Sequence, residues 1–167
     1  SDEGEKDFIQ VCEHLGIQHE VVDLRENFKK HVVDYFIDAY EKGLTPNPCV
    51  ACNKHIKFGA LLDLAKERGA DYLATGHYAK IVEADGLYFI ERARHDSKDQ
   101  TYMFYNMTQD VLKYLLMPLG QIESKDKVRE IAEDIGAPVA HKSDSQEICF
   151  VPDDNYITFL EDEGVVG

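Results

Sequence analysis

Two thiols three residues apart are the first chemistry this chain offers. Cys49 and Cys52 stand in the stretch Thr45-Pro46-Asn47-Pro48-Cys49-Val50-Ala51-Cys52-Asn53-Lys54. That spacing serves a metal ion, disulfide exchange or sulfur handling, and the pair alone leaves all three open. Pro46 and Pro48 fix their own φ angles and push Thr45 and Asn47 out of the helical region, which predicts a stiff, extended loop that presents side chains to a ligand. A third thiol, Cys149, lies in Ser143-Asp144-Ser145-Gln146-Glu147-Ile148-Cys149-Phe150, a polar loop feeding a short apolar step. Cys12 shares helical spacing with Phe8, Val11 and Leu15, which predicts a core thiol. His55 and Lys57 follow the first loop; Arg92, Arg94, His95 and Lys98 form a second basic cluster, and Lys125, Lys127 and Arg129 a third.

These groups sit in an acidic chain. The 167 residues carry a net charge of −14, with 44% hydrophobic and 30% charged residues. Such a composition predicts a soluble globular domain with a real core. The acidity argues against binding nucleic acid over the whole surface and confines any such contact to a local basic site. No apolar run approaches the roughly 20 residues that span a bilayer, and the acidic N-terminus does not read as a signal peptide. Cysteines at 12, 49, 52 and 149 do not form a disulfide scaffold, so functional thiols in a reducing cytoplasm are expected.

The elements that must position these residues alternate in type. Helices are predicted over 2–15, 26–42 and around Phe58, Leu61, Leu62 and Ala65, closed by Gly16, Gly43 and Gly69 respectively. His19–Leu24 reads as a strand. Asp71–Tyr78 reads as a buried parallel strand ending in Thr75-Gly76-His77, at the carboxyl edge where α/β sheets gather ligands. Residues 78–83 and 87–92 read as a hairpin around Ala84-Asp85-Gly86. The second half reads as mostly helical: 108–116, a helix capped by Ser124 and ended by Gly136, and a last one over 153–162. The order predicts an α/β fold, a partial doubly wound parallel sheet without the first β-α-β and its glycine-rich phosphate turn. Residues 1–105 would form the catalytic part and 106–167 a helical extension of it.

In combination, five stretches resemble the tRNA-specific 2-thiouridylases, the MnmA/TrmU family of sulfur transferases. They are Thr45-Pro46-Asn47-Pro48 with Cys52-Asn53-Lys54, Ala74-Thr75-Gly76-His77-Tyr78, Asp96-Ser97-Lys98-Asp99-Gln100, Val128-Arg129-Glu130-Ile131-Ala132, and Asp144-Ser145-Gln146-Glu147-Ile148-Cys149-Phe150. They occur in one order over nearly the whole chain. The resemblance implies a PP-loop ATPase type of sheet and ATP-dependent thiolation of C2 of the wobble uridine. ATP, with Mg²⁺, adenylates the uracil oxygen, and a cysteine persulfide displaces AMP. It implies Cys149 as the persulfide carrier and Cys52 as its partner thiol, the two ending as a disulfide. It places Asn47, Pro48 and Cys49 against the target base, Gly76 on the nucleotide, and His77, Lys98, Asp99 and Gln100 on tRNA. A relay protein would bring the sulfur.

Reactive thiols need an electropositive, accessible setting, for which Lys54, Lys57 and Lys142 are the candidates. Many family members carry aspartate where this chain has Cys49. Cys49, Cys52 and Cys149 could therefore instead hold a [4Fe-4S] cluster with one open iron. A structural zinc or redox CxxC module is the non-enzymatic alternative. Without the phosphate turn, residues 1–167 alone are expected to turn over little or no tRNA.

Overall fold

A computed structural model describes residues 2–137, 148–151 and 155–165. The stretch 138–147, with Lys142 and the Asp144–Glu147 part of the last motif, lies outside the described residues, as do 152–154.

Helix α1 (Asp2–Leu15) turns its Cys12 inward and ends at Gly16, whose φ of +66° supplies the left-handed cap. Three consecutive helical segments, Arg25–Phe28, Lys29–Val33 and Asp34–Glu41, form α2, the middle one with the wider π winding. A second such run forms α3: Pro48–Cys52, the π-wound Asn53–Ala60, and Leu61–Glu67. Long π segments are uncommon and recur at functional sites.

The parallel sheet is small. β1 (Leu73–Ala74) pairs with β4 (Leu115–Leu116), and an antiparallel hairpin, β2 (Ala79–Ala84) with β3 (Leu87–Arg92), stands beside it. The hairpin is the one expected: Asp85 and Gly86 both take positive φ, 51° and 76°, the twist a two-residue turn needs. Between β3 and β4 lie short 3₁₀ turns at Asp96–Lys98 and Thr101–Phe104 and the short helix α4 (Gln109–Leu112). After β4 come a 3₁₀ turn at Pro118–Gln121, α5 (Lys125–Asp134), capped by Ser124 Oγ on the Lys127 N–H, and α6 (Tyr156–Asp162).

Three expectations change. His19–Leu24 is not a strand: among the described residues no strand runs beside it, and a strand without a ladder has nothing to pair its backbone. The strand expected over 71–78 shrinks to Leu73–Ala74, extended by Leu73 and Thr75 N–H bonds to the Tyr114 and Leu116 carbonyls. The helix expected over 108–116 ends at Leu112, because Leu115-Leu116 is taken into the parallel pair. Tertiary pairing overrides the helical spacing of its leucines.

The core forms where α3 covers the sheet. Phe58, Leu62, Ala79, Phe104, Leu112, Leu115 and Met117 make one buried cluster. The boundary expected between residues 105 and 106 runs through this cluster. Gly120 joins it to the hairpin: a Cβ there would stand 1.8 Å from the Ala79 carbonyl oxygen, so the backbones approach as only glycine permits. A second, aromatic core joins α2 to the chain end. The Phe150 ring meets Phe28, Phe36 and Phe159 at centroid distances of 5.7, 5.4 and 5.7 Å.

Candidate functional site

The proline loop is shorter than expected and its cysteines are helical. Asn47 is extended, at φ −109° and ψ 96°, and its Oδ1 accepts the Val50 N–H at 3.1 Å, capping α3, with Pro48 as the first helical residue. Cys49 and Cys52 therefore share one face, one turn apart, in the first turns of α3. Because Oδ1 is committed to the cap, the Asn47 amide NH₂ is left to face outward. Pro48 itself is buried.

Cys149 bears electrostatically on the same pair. Its neighbour Phe150 is fixed in the aromatic core against α2, and Cys149 adds to the upward shifts of both Cys49 and Cys52. All four cysteines are free, so the disulfide the resemblance implied is not formed here. The thiols are also not activated in the way expected. Burial pushes Cys49 up, Cys149 adds to the shift, and Lys57 opposes it. Cys52 is pushed up by burial, against Lys57 and with Cys149 and Cys49. Lys57, rather than Lys54, is thus the cation that bears on the pair, and desolvation outweighs it. Among the described residues no three histidines, cysteines or carboxylates come together as a metal site, so the [4Fe-4S] arrangement on Cys49, Cys52 and Cys149 does not fit what is described.

Beside Asn47 opens a cleft of about 500 Å³ between α2 and α3. Lys30 and His31 from the π-wound part of α2 face Lys54 and His55 from the π-wound part of α3. The two imidazoles stack at 4.8 Å between centroids and 13° between planes. Burial holds His55 below its ordinary value, with the charges of His31 and Lys54 acting in the same direction. Tyr35, Tyr105 and Asn106 complete the wall. Lys30, His31, Tyr35, Tyr105 and Asn106 were not singled out from the sequence; their types are ordinary, and only the π winding and the chain's return at 105–106 bring them together.

The edge of β1 is built differently. His77 is only 8% exposed; Phe104 meets its ring edge-on at 5.1 Å and Phe58 at 5.9 Å, while Nδ1 lies 2.9 Å from Thr75 Oγ1. Burial, helped by Lys57, brings its pKa down to about 4, so the ring is neutral at pH 7. Gly76 is exposed, has no positive φ, and would meet only Leu119 Cδ1 at 3.7 Å if it carried a Cβ. Nothing within the described residues requires glycine there. The Lys98-Asp99-Gln100 turn is bound back to the strand: Tyr78 N–H donates to Gln100 Oε1 at 2.9 Å, and Gln100 N–H to the Tyr78 carbonyl at 2.8 Å. Asp99 accepts from Ala93 N–H at 2.8 Å and from Thr101 Oγ1 at 2.6 Å. Burial resists its ionisation, yet the bonds from Thr101 and Ala93 and the charge of Arg92 hold it below the usual carboxylate range.

Residues 1–153 match the model of the tRNA methyl transferase HUP domain. The chain belongs to that family. Its α/β architecture with a partial parallel sheet is the HUP, or PP-loop ATPase, type of fold. Curated relatives include the tRNA-specific 2-thiouridylase MnmA of Clostridium perfringens, 54% identical over 151 residues, which cover 90% of this chain and 42% of that protein. The protein of the same name from Clostridium acetobutylicum is 52% identical over 158 residues, covering 95% of this chain and 44% of that protein. That of Pelobacter propionicus is 49% identical over 158 residues, covering 94% and 44%. The chain thus spans less than half the length of these relatives. Among the described residues no helix is long and apolar enough to cross a membrane.

Proposed function

We propose that this HUP domain is the sulfur- and base-handling part of an enzyme that converts a tRNA uridine to 2-thiouridine. The observation that carries the proposal is the placing of Cys49 and Cys52 one turn apart beside the Asn47 cap, with Cys149 bearing on both electrostatically, in a family whose named relatives are 2-thiouridylases. The Asn47 amide NH₂ suits a uracil carbonyl presented by an unstacked loop, with Pro48 and Cys49 forming the rest of the lip. Gly76, with no internal reason to be glycine, is assigned to the nucleotide side, and ATP is the co-substrate. Lys98 is assigned to tRNA directly. Asp99 and Gln100 hold that turn, and His77 supports the strand end as a neutral ring.

The chemistry balances as follows. ATP transfers its AMP group to the uracil O2 and releases pyrophosphate. The terminal sulfur of a Cys149 persulfide, loaded by a sulfane-sulfur donor protein, attacks C2, and AMP departs with the former O2. Cys52 then attacks Cys149 Sγ. The C2-bound sulfur leaves as the thiolate of 2-thiouridine, and the two cysteines are oxidised to a disulfide. A dithiol reductant resets the pair. Burial pushes the Cys52 thiol up, which fits a partner thiol that does not attack until substrate and cations change its surroundings. The described cysteines do not form a metal-holding group, so no step is drawn through a cluster.

The test is 2-thiouridine formation, measured by mass spectrometry after incubating an enzyme in which this domain is joined to the phosphate-binding turn of its family with ATP, a tRNA bearing a wobble uridine and a persulfide donor. Cys149→Ala and Cys52→Ala abolish product, whereas Cys49→Ala retains it. Absence of product from the parent protein overturns the reading. Iron and sulfide in the parent that are lost, together with product, in Cys49→Ala would replace the persulfide route with a cluster. Stoichiometric zinc that resists chelation, with no product, would mark a structural module.

A further inference from the structure

Most of the lysines and arginines of this chain are matched by carboxylates. Arg25, Lys29, Lys42, Arg68, Lys80, Arg92, Arg94, Lys113, Lys127 and Arg129 each lie within 4.0 Å of a carboxylate. Among the described residues Lys6, Lys30, Lys54, Lys57 and Lys66 have no carboxylate within that distance, although the chain holds 32 acidic residues against 18 lysines and arginines; of these five, Lys30 and Lys54 stand together. Both line the cleft next to Asn47, with the stacked His31 and His55 between them. Positive side chains kept clear of carboxylates in so acidic a protein form a site for an external anion. The cleft also carries two features an anion alone does not need. Tyr105 is 79% exposed, an aromatic face without a cover. Asn106 lines the same cleft, and its Oδ1 is buried with no hydrogen-bond donor among the described residues. A buried acceptor left unpaired is costly, and it calls for a donor from a ligand.

We propose that this cleft is a ribonucleotide subsite for a residue of single-stranded RNA flanking the target uridine. Lys30, His31, Lys54 and His55 hold its phosphodiester, Asn106 Oδ1 accepts its ribose 2′-OH, and Tyr105 stacks on its base. The 2′-OH is the donor that RNA has and DNA lacks, which matches the orphaned acceptor. An exposed tyrosine beside unpaired cations is the usual construction of a single-strand site. Asn47 belongs to both the lip and the cleft, so a nucleotide bound here lies directly next to the base at the thiols. The subsite rests on the RNA-thiolation reading above, but it is tested by binding alone.

The experiment is fluorescence anisotropy of the purified protein with a fluorescein-labelled anticodon stem-loop RNA over a salt series. Each lysine lost from a single-stranded contact lowers the log–log salt slope by about 0.7, so Lys30→Ala/Lys54→Ala lowers it by about 1.4. Lys30→Gln/Lys54→Gln repeats the measurement with the stems kept, and circular dichroism checks that each variant is folded. Tyr105→Ala weakens binding about tenfold, within the range of one lost stacking contact. Replacing the nucleotide on either side of the target uridine with its 2′-deoxy form weakens binding to the parent but not to Asn106→Ala. Lys113→Ala, whose lysine is paired with Asp110, leaves the slope unchanged. A parental slope in folded lysine variants, or equal binding of the 2′-deoxy RNAs by the parent, overturns the subsite while leaving thiolation standing. An altered slope in a protein that forms no 2-thiouridine keeps the subsite and overturns the thiolation reading.

Discussion

The α2–α3 cleft and the β1 edge lie on the same small domain, yet they treat polar groups in opposite ways. At the β1 edge the side chains are bonded to the protein itself. Gln100 and Tyr78 exchange two hydrogen bonds, Asp99 takes bonds from Ala93 and Thr101, and the His77 imidazole is enclosed by Phe58 and Phe104. In the cleft, among the described residues, Lys30 and Lys54 lack ion pairs, Asn106 Oδ1 lacks a donor, and Tyr105 stands exposed. Satisfied polar groups hold a shape, whereas unsatisfied ones await a ligand. The comparison therefore divides residues of one motif set into architecture and contact, which no single motif does.

The most severe way to break the architectural side is at Gly120. Gly120→Ala places a methyl group 1.8 Å from the Ala79 carbonyl oxygen, and backbone cannot step aside as a side chain can. The expected loss is about 3 kcal/mol or more in urea unfolding, at the upper end for overpacking. A variant as stable as the parent would mean the hairpin and the Pro118–Gln121 turn are not held as described.

Protonation offers a gentler test. His77 has its pKa held down to about 4 by burial, against about 6.5 in the unfolded chain. Between these values the unfolded state binds more protons. The stabilising contribution of the neutral ring is therefore complete above about pH 6.5 and is lost as pH falls toward 4. It amounts to roughly 3 kcal/mol. Urea midpoints of the parent should fall more steeply over this window than those of His77→Phe, which has nothing to protonate. Parallel curves would place His77 outside the core.

The smallest effect is the most discriminating. Asn47 has two roles, as a helix cap through Oδ1 and, in the proposed function, as a ligand donor through its amide. Asn47→Ala costs about 1 kcal/mol of stability, and Asn47→Ser, which also caps, costs almost nothing. Both remove the amide donor, so both should weaken thiolation equally if the proposed base contact is real. Activity that follows stability instead would assign Asn47 to architecture alone.

Much was legible before any coordinates. Gly16, Gly43, Gly69 and Ser124 mark helix ends because φ above zero and N-cap hydrogen bonds are local demands on single residues. The hairpin at Asp85-Gly86 is local for the same reason. The five motif stretches carried the family, which the HUP match over residues 1–153 shows. What failed was non-local. Leu115-Leu116 belongs to a strand only because Leu73-Ala74 lies beside it, and His19–Leu24 is no strand because none does. The raised thiol pKa values of Cys49 and Cys52 depend on how deeply α3 is packed, which spacing does not encode.

The sequence by itself determined the local turns and caps, the alternation of elements and the set of reactive residue types, since each depends on a chain neighbour or a short period. Only the tertiary structure decided which of those residues face one another. It seated Phe150 against α2, enclosed His77, and set His31 against His55 across a cleft that no spacing announces. Contacts between residues 24 or more positions apart are set by packing and desolvation, and those energies exist only once the chain has closed on itself.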